Sequence, residues 1–214
     1  MTDLWPIIAL SLRVSGVALL LSALPGVPFG AWAALHGGRA RKTIAVLLYT
    51  GMGLPPVVVG LAVYLLLSRS GPLGPWGWLF TPPAMILAQV ILAFPLVAGL
   101  TLTAVLSVDP AIRQQVLALG ATPWQATWTV LEEARFGVVV GLVAGFGAIV
   151  SEVGAVMLVG GNIAGQTRVL TTAIVLLTRQ GEFESALALG GVLLLIALAA
   201  NWLAAGWQWQ ALDG

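Results

Sequence analysis

Asp109-Pro110-Ala111-Ile112-Arg113-Gln114-Gln115-Val116-Leu117-Ala118-Leu119-Gly120-Ala121-Thr122-Pro123-Trp124 lies between two long apolar segments and punctuates itself twice. Asp109 ahead of Pro110 is a helix start, an N-cap followed by proline at the first helical position, and Gly120 supplies the stop. Thr122-Pro123 repeats the start signal. The enclosed helix is about ten residues, roughly 15 Å, too short to cross lipid. Ile112, Val116 and Leu119 recur at helical spacing, while Arg113, Gln114 and Gln115 face elsewhere. Two readings stay open for such a helix: it enters a groove on a partner protein, or it lies flat in the lipid interface.

Composition supplies the setting. The chain is 59% hydrophobic and 8% charged, with mean hydropathy +1.02, against about 25% charged in soluble domains. This is an integral membrane protein, and its 214 residues allow one compact bundle, residues 1–214, without a further soluble domain. A net charge of +1 from scattered basic residues excludes a nucleic-acid partner. With no cysteine, a disulfide framework and thiolate metal sites are excluded too. Met1-Thr2-Asp3-Leu4-Trp5 lacks the basic stretch of a signal peptide, so the first apolar segment is expected to be a retained span.

Five apolar segments are long enough for about 30 Å of hydrocarbon: residues 7–35, 44–67, 83–106, 136–158 and 185–207. In lipid such stretches must satisfy their own backbone, so they are helices. Pro25, Pro28, Pro55, Pro56 and Pro95 predict kinks in or at the ends of these spans. Arg39, Arg41 and Lys42 in the first basic loop, with Arg113 and Arg135 in the loop 107–135, outweigh Arg69, Arg168 and Arg179 on the other side. The positive-inside rule then places loops 36–43 and 107–135 and the C-terminus in the cytoplasm, and the N-terminus outside. Trp5, Trp76 and Trp78 mark the outer interface, and Trp32, Trp202, Trp207 and Trp209 the inner one.

Val159-Gly160-Gly161-Asn162-Ile163-Ala164-Gly165-Gln166-Thr167-Arg168 is glycine-rich and polar, and the apolar run after it is again too short to cross. A half-crossing helix fits best, with an exposed surface loop as the alternative. Gly137, Gly141 and Gly145 form a small-residue stripe on which another helix can close. Glu152 is an acid deep in an apolar segment, where a charge costs roughly 2.5–3.5 kcal/mol on insertion scales. It either lies beside a wet path or ties helices together. Arg13, about two turns into the first span, either partners Glu152 or reaches back to the interface. Catalysis finds no support: His36 is the single histidine, so no histidine pair for a metal and no serine–histidine dyad can be built, and no phosphate loop is present.

Gln114-Gln115-Val116-Leu117-Ala118-Leu119-Gly120, followed after nine residues by Val130, resembles the EAA loop of ABC-importer permeases. The glycine is kept. Gln114-Gln115-Val116 stands where that family has Glu-Ala-Ala, and Glu132-Glu133 where it has Leu-Pro. Ser11-Leu12-Arg13-Val14-Ser15, Leu54-Pro55-Pro56-Val57-Val58-Val59-Gly60 and Gly161-Asn162-Ile163-Ala164-Gly165-Gln166-Thr167-Arg168 resemble segments of the molybdate, tungstate and sulfate permeases. Ser151-Glu152-Val153-Gly154-Ala155, read on through Ile163 and into Thr167-Arg168-Val169-Leu170-Thr171-Thr172-Ala173-Ile174, looks most like the tungstate branch.

The resemblance implies an all-α, type I ABC importer transmembrane fold with five spanning helices, a cytoplasmic coupling helix and a half-crossing segment before the last span. It implies a bacterial or archaeal cytoplasmic membrane, a second copy of the chain, two ATPase subunits that hold ATP and magnesium, and an outer oxyanion-binding protein. The chain itself would carry no cofactor. Arg113, Gln114, Gln115, Gly120, Ala121 and Trp124 are the expected ATPase-coupling residues; Glu152, Asn162, Thr167, Arg168, Thr171 and Thr172 are expected to line or gate the path. With so few basic residues in that path, tight anion recognition is assigned to the delivering protein. The rival readings are a molybdate or sulfate permease, an ion-coupled secondary transporter using Glu152, and an intramembrane enzyme or structural subunit.

Overall fold

The computed structural model describes residues 4–36 and 38–210, with side chains through Gly206. The expectations for Met1-Thr2-Asp3 and for the Trp207 and Trp209 side chains lie outside that set. Every regular element among the described residues is helical. The order is α1 (Leu4–Leu35), α2 (Arg39–Met52), α3 (Pro56–Leu67), a 3-10 turn (Gly74–Trp76), α4 (Pro82–Leu106), α5 (Pro110–Ala118), α6 (Pro123–Glu133), α7 (Arg135–Val150), α8 (Gly154–Gly160), α9 (Leu170–Arg179) and α10 (Phe183–Gln210).

Three helices, α1, α4 and α10, are long and apolar enough to cross a membrane unaided, and the number rises to five if each of two bent pairs is one span. The span expected over 44–67 is interrupted: α2 and α3 meet at 93°. Proline has no amide hydrogen and pushes the residue before it out of helical geometry, so Pro55-Pro56 ends one helix and starts the next. Pro25, Pro28 and Pro95, by contrast, stay inside the continuous helices α1 and α4. The span expected over 136–158 is also interrupted, at Ser151–Val153, between α7 and α8. There the Ser151 hydroxyl donates to the Gly147 carbonyl at 2.7 Å, turning back on the last turn of α7. At its start α7 bends by 65° from α6.

Helix α4 is the centre: 56% of its most apolar window is buried, against 11% for α10, whose leucines Leu187, Leu194 and Leu198 lie open. Helices α1, α2, α3, α7 and α8 all pack on α4. The glycine stripe works as its spacing predicts. A methyl at Gly141 would meet the Leu100 Cβ at 3.0 Å, and one at Gly145 the Val97 side chain at 3.1 Å, so α7 lies backbone-close on α4. Two apolar cores result. One, around Val63, Met85, Ala88, Val156 and Val159, joins α3, α4 and α8. The other, around Ala34, Leu48, Leu102, Val105 and Val130, joins the ends of α1, α2 and α4 to α6.

Helices α3 and α8 also lie backbone-close, since a Cβ on Gly60 would stand 2.6 Å from the Ala155 Cα. Gly60→Ala is therefore expected to force the two helices apart and cost about 1–3 kcal/mol, read as a lower melting temperature in detergent. Gly16→Ala, with nothing within 4 Å, should leave the melting temperature unchanged.

Candidate functional site

The loop 107–135 folds as its punctuation predicts. Asp109 Oδ1 accepts from the Ala111 amide at 2.8 Å, fixing the first turn of α5. At the other end, the Ala121 amide donates to the Val116 carbonyl at 3.2 Å and the Gly120 amide to the Leu117 carbonyl at 3.0 Å. With Gly120 at φ +91°, this is the paired closure that a left-handed residue makes at a helix end. Thr122 then caps α6 reciprocally: its hydroxyl accepts from the Gln125 amide at 3.3 Å, and its amide donates to Gln125 Oε1 at 2.8 Å. The loop is thus two short rigid helices around one glycine corner.

The expected coupling residues divide. Gln114, Gln115, Gly120 and Trp124 are exposed, and Ala121 is half-buried at the corner. Leu119 is 89%, Trp124 73% and Trp128 55% exposed, an apolar rim on an otherwise polar loop. Arg113 turns the other way. It lines a cavity of about 220 Å³ with Arg41 and Asp109 below the ends of α1 and α4, and its Nε is buried without a hydrogen-bond partner. On the inner side of the loop Val130 and Ala134 pack with Ala34, Leu102 and Val105, which fixes α6 to the ends of α1 and α4.

At the opposite end the structure gathers the residues expected around a path. Glu152 lies in the break between α7 and α8, half-buried, and its Oε1 accepts from the Ala155 amide at 2.9 Å, capping α8. Its carbonyl accepts from the Thr171 hydroxyl of α9 at 2.9 Å. Gln89 of α4, buried, donates from Nε2 to the Ile149 carbonyl at 2.8 Å, which also accepts from the Glu152 amide at 3.2 Å in the turn that ends α7. Thr167 is fully buried and closes the glycine-rich loop: its hydroxyl donates to the Gly160 carbonyl and accepts from the Ile163 amide at 2.9 Å. Thr172, also fully buried, exchanges bonds with the Val169 backbone at the start of α9. Asn162, at φ +53°, holds Arg168, whose Nε donates to Asn162 Oδ1 at 3.3 Å. The threonines therefore bind the loop together, while Asn162 and Arg168 are half-buried at its edge.

The short apolar run after the loop is helical, α9, ten residues long, packed on α10. It is anchored to α1 by a bond from the Leu170 amide to Ser11 Oγ at 2.8 Å. Arg13, one half-turn further on, does not meet Glu152. It lines a cavity with Gly165, Gln166 and Arg168. Sequence reasoning did not single out Gln89, although a polar amide in the middle of an apolar span is the kind of residue that marks interhelical bonding.

Residues 26–206 match the family of binding-protein-dependent transport system inner membrane components. A probable anion ABC transporter permease of Haloferax volcanii is 45% identical over 96% of this chain and 90% of its own length. The tungstate uptake system permease TupB of Peptoclostridium acidaminophilum is 41% identical over 93% of this chain and 87% of its own. The molybdenum transport permease ModB of Escherichia coli is 32% identical over 94% and 93%. In fold, the chain is similar to the MetNI methionine ABC transporter in inward-facing form, with TM-score 0.74 and 17% identity over 96% of this chain and 99% of that one. The chain belongs to the binding-protein-dependent transport inner membrane family, and it is an ABC importer permease with the all-helical type I fold.

Thr171→Val removes the hydroxyl that ties α9 to the α7–α8 break and is expected to cost about 1 kcal/mol, seen as a lower melting temperature of the purified protein. Thr178→Val removes a bond within exposed helix surface and should change it by less than about 0.5 kcal/mol.

Proposed function

We propose that this chain is the membrane-spanning subunit of an ATP-driven importer of tungstate, working as two copies above two ATPase subunits and below an outer oxyanion-binding protein. The substrate reading is supported by the relative named for tungstate uptake, which is 41% identical to this chain against 32% for the relative named for molybdenum. Molybdate is the second reading, favoured by that relative. ATP and magnesium belong to the ATPase, and this chain performs no hydrolysis of its own. Loop 107–135 lies in the cytoplasm, with the N-terminus outside and the C-terminus inside.

In this mechanism ATP draws the ATPase subunits together and the two loops move with them. Leu119, Trp124 and Trp128 are the apolar contacts that a partner cleft would cover, with Gln114, Gln115 and Ala121 around them. Arg113, turned inward, steadies the loop on the bundle instead of touching the ATPase. Because α6 shares a core with α1 and α4, displacement of the loop is carried to the helices that line the path. At the outer end, Glu152, Asn162, Thr167, Arg168, Thr171 and Thr172 form a gate whose shape is held by the threonine bonds. The experiment is uptake by proteoliposomes containing the permease, its ATPase and its loaded binding protein. Tungstate accumulation that requires ATP supports the reading, and transport of sulfate in preference to tungstate contradicts it.

Gly120 gives a sharper test of coupling. A leucine there would be forced into the left-handed region at a cost of roughly 1–2 kcal/mol, opening the corner between α5 and α6. Gly120→Leu is expected to reach the membrane in normal amount and to lose stimulation of the ATPase by the loaded binding protein. Unchanged stimulation would remove the corner from the mechanism.

A further inference from the structure

We infer that Arg13 and Arg168 form a low-affinity contact site for a tetrahedral oxyanion at the mouth of the path. The inference rests on the oxyanion-importer reading above. The two residues come from distant parts of the sequence, yet both line one cavity of about 270 Å³, together with Gln166 and Gly165 and with no acidic side chain among the described residues of its wall. Water takes about 30 Å³ per molecule in the liquid, so the space holds a tetrahedral dianion and part of its hydration shell.

The convergence is built in. The Leu170 amide binds Ser11 Oγ, which fixes the glycine-rich loop to α1 two residues from Arg13. Asn162 engages Arg168 through Oδ1 at 3.3 Å to Nε and through its carbonyl at 3.5 Å to Nη2. That leaves further guanidinium N–H donors of Arg168 for a ligand. Arg168 also borders a second cavity that contains Glu182; among the described residues no carboxylate forms an ion pair with either arginine.

Charge makes the pair informative. Arginine stays protonated in proteins, and a cation on an apolar span is costly without a counter-charge. A second cation beside it raises that cost, and among the described residues no acid lines the cavity to offset it. A passing dianion does. Arginine is also the side chain whose planar donor fork suits oxyanions. The site must release what it receives, so weak binding through two arginines is what transport requires. Tight selection stays with the delivering protein. A lipid phosphate offers the same tetrahedral chemistry, and the inference commits to the cargo.

The chain has no cysteine, so Gln166→Cys places one thiol of the permease in the cavity. The assembled transporter in phosphatidylcholine vesicles would be treated from outside with anionic and cationic methanethiosulfonates. The anionic reagent is expected to react faster by about tenfold, as electrostatic focusing predicts, and millimolar tungstate should slow it. Adding Arg13→Gln or Arg168→Gln should abolish the preference, and Arg13→Lys should retain it. Equal rates for both reagents, or a preference that survives both neutral substitutions, would overturn the site. So would suppression by phosphatidylglycerol in the bilayer without protection by tungstate, which would make it a lipid site. In the native background, Arg13→Gln should lower uptake about tenfold while ATPase stimulation persists; loss of both together would make the arginine structural and also overturn it. Anionic preference and tungstate protection in a transporter that accumulates no tungstate would leave the site standing and refute the cargo reading.

Discussion

A hydrocarbon interior offers no hydrogen bonds, so each carbonyl or amide freed by a broken helix must find a partner within the protein. This chain breaks one of its apolar segments at Ser151–Val153 and meets that demand with side chains from two other helices and from the break itself. Gln89 of α4 takes the Ile149 carbonyl, Thr171 of α9 takes the Glu152 carbonyl, and the Glu152 carboxylate takes the Ala155 amide. The break is therefore a junction of α4, α7, α8 and α9, and the position of α9 depends on it. Glu152 reads first as the residue that makes this junction possible, and whatever it does for a permeating ion is done from that fixed place.

Helix α4 connects this junction to the loop at the other end. Its one half shares a core with α3 and α8, and its other half shares a core with α1, α2 and α6. Close-packed cores deform little and move as units. A push on α6 therefore reaches the broken end through α1 and α4, not through a flexible chain of loops. The glycine stripe of α7 serves the same end by bringing a third backbone against α4.

Much of this was legible in the sequence because it was written in local punctuation. Asp109-Pro110, Gly120 and Thr122-Pro123 set the two helices of loop 107–135 nearly to the residue, since caps and left-handed corners act within a few positions. The stripe at Gly137, Gly141 and Gly145 and the short helix after the glycine-rich loop were legible for the same reason. The break at Ser151 was not, because hydropathy runs on unbroken through it and Ser-Glu reads equally well as buried polar residues in one span. Pro55-Pro56 announced a bend, but the 93° angle depends on how α2 and α3 pack on α4. The meeting of Arg13 with Arg168 rests on the Ser11 anchor, a contact between residues 159 positions apart, and spacing in the sequence carries no trace of it. Arg113 faces the cavity below the ends of α1 and α4, a space made by helix packing that local spacing does not encode.

The central claim is that the loop between α4 and α7 protrudes into the cytoplasm and is held there by an ATPase. Leu119, at the tip and 89% exposed, gives the most direct measurement, made on Leu119→Cys with a membrane-impermeant thiol reagent. The account expects no reaction in intact cells, reaction in inside-out membranes stripped of the ATPase, and protection when the ATPase is restored. Labelling of this position from outside intact cells would contradict it.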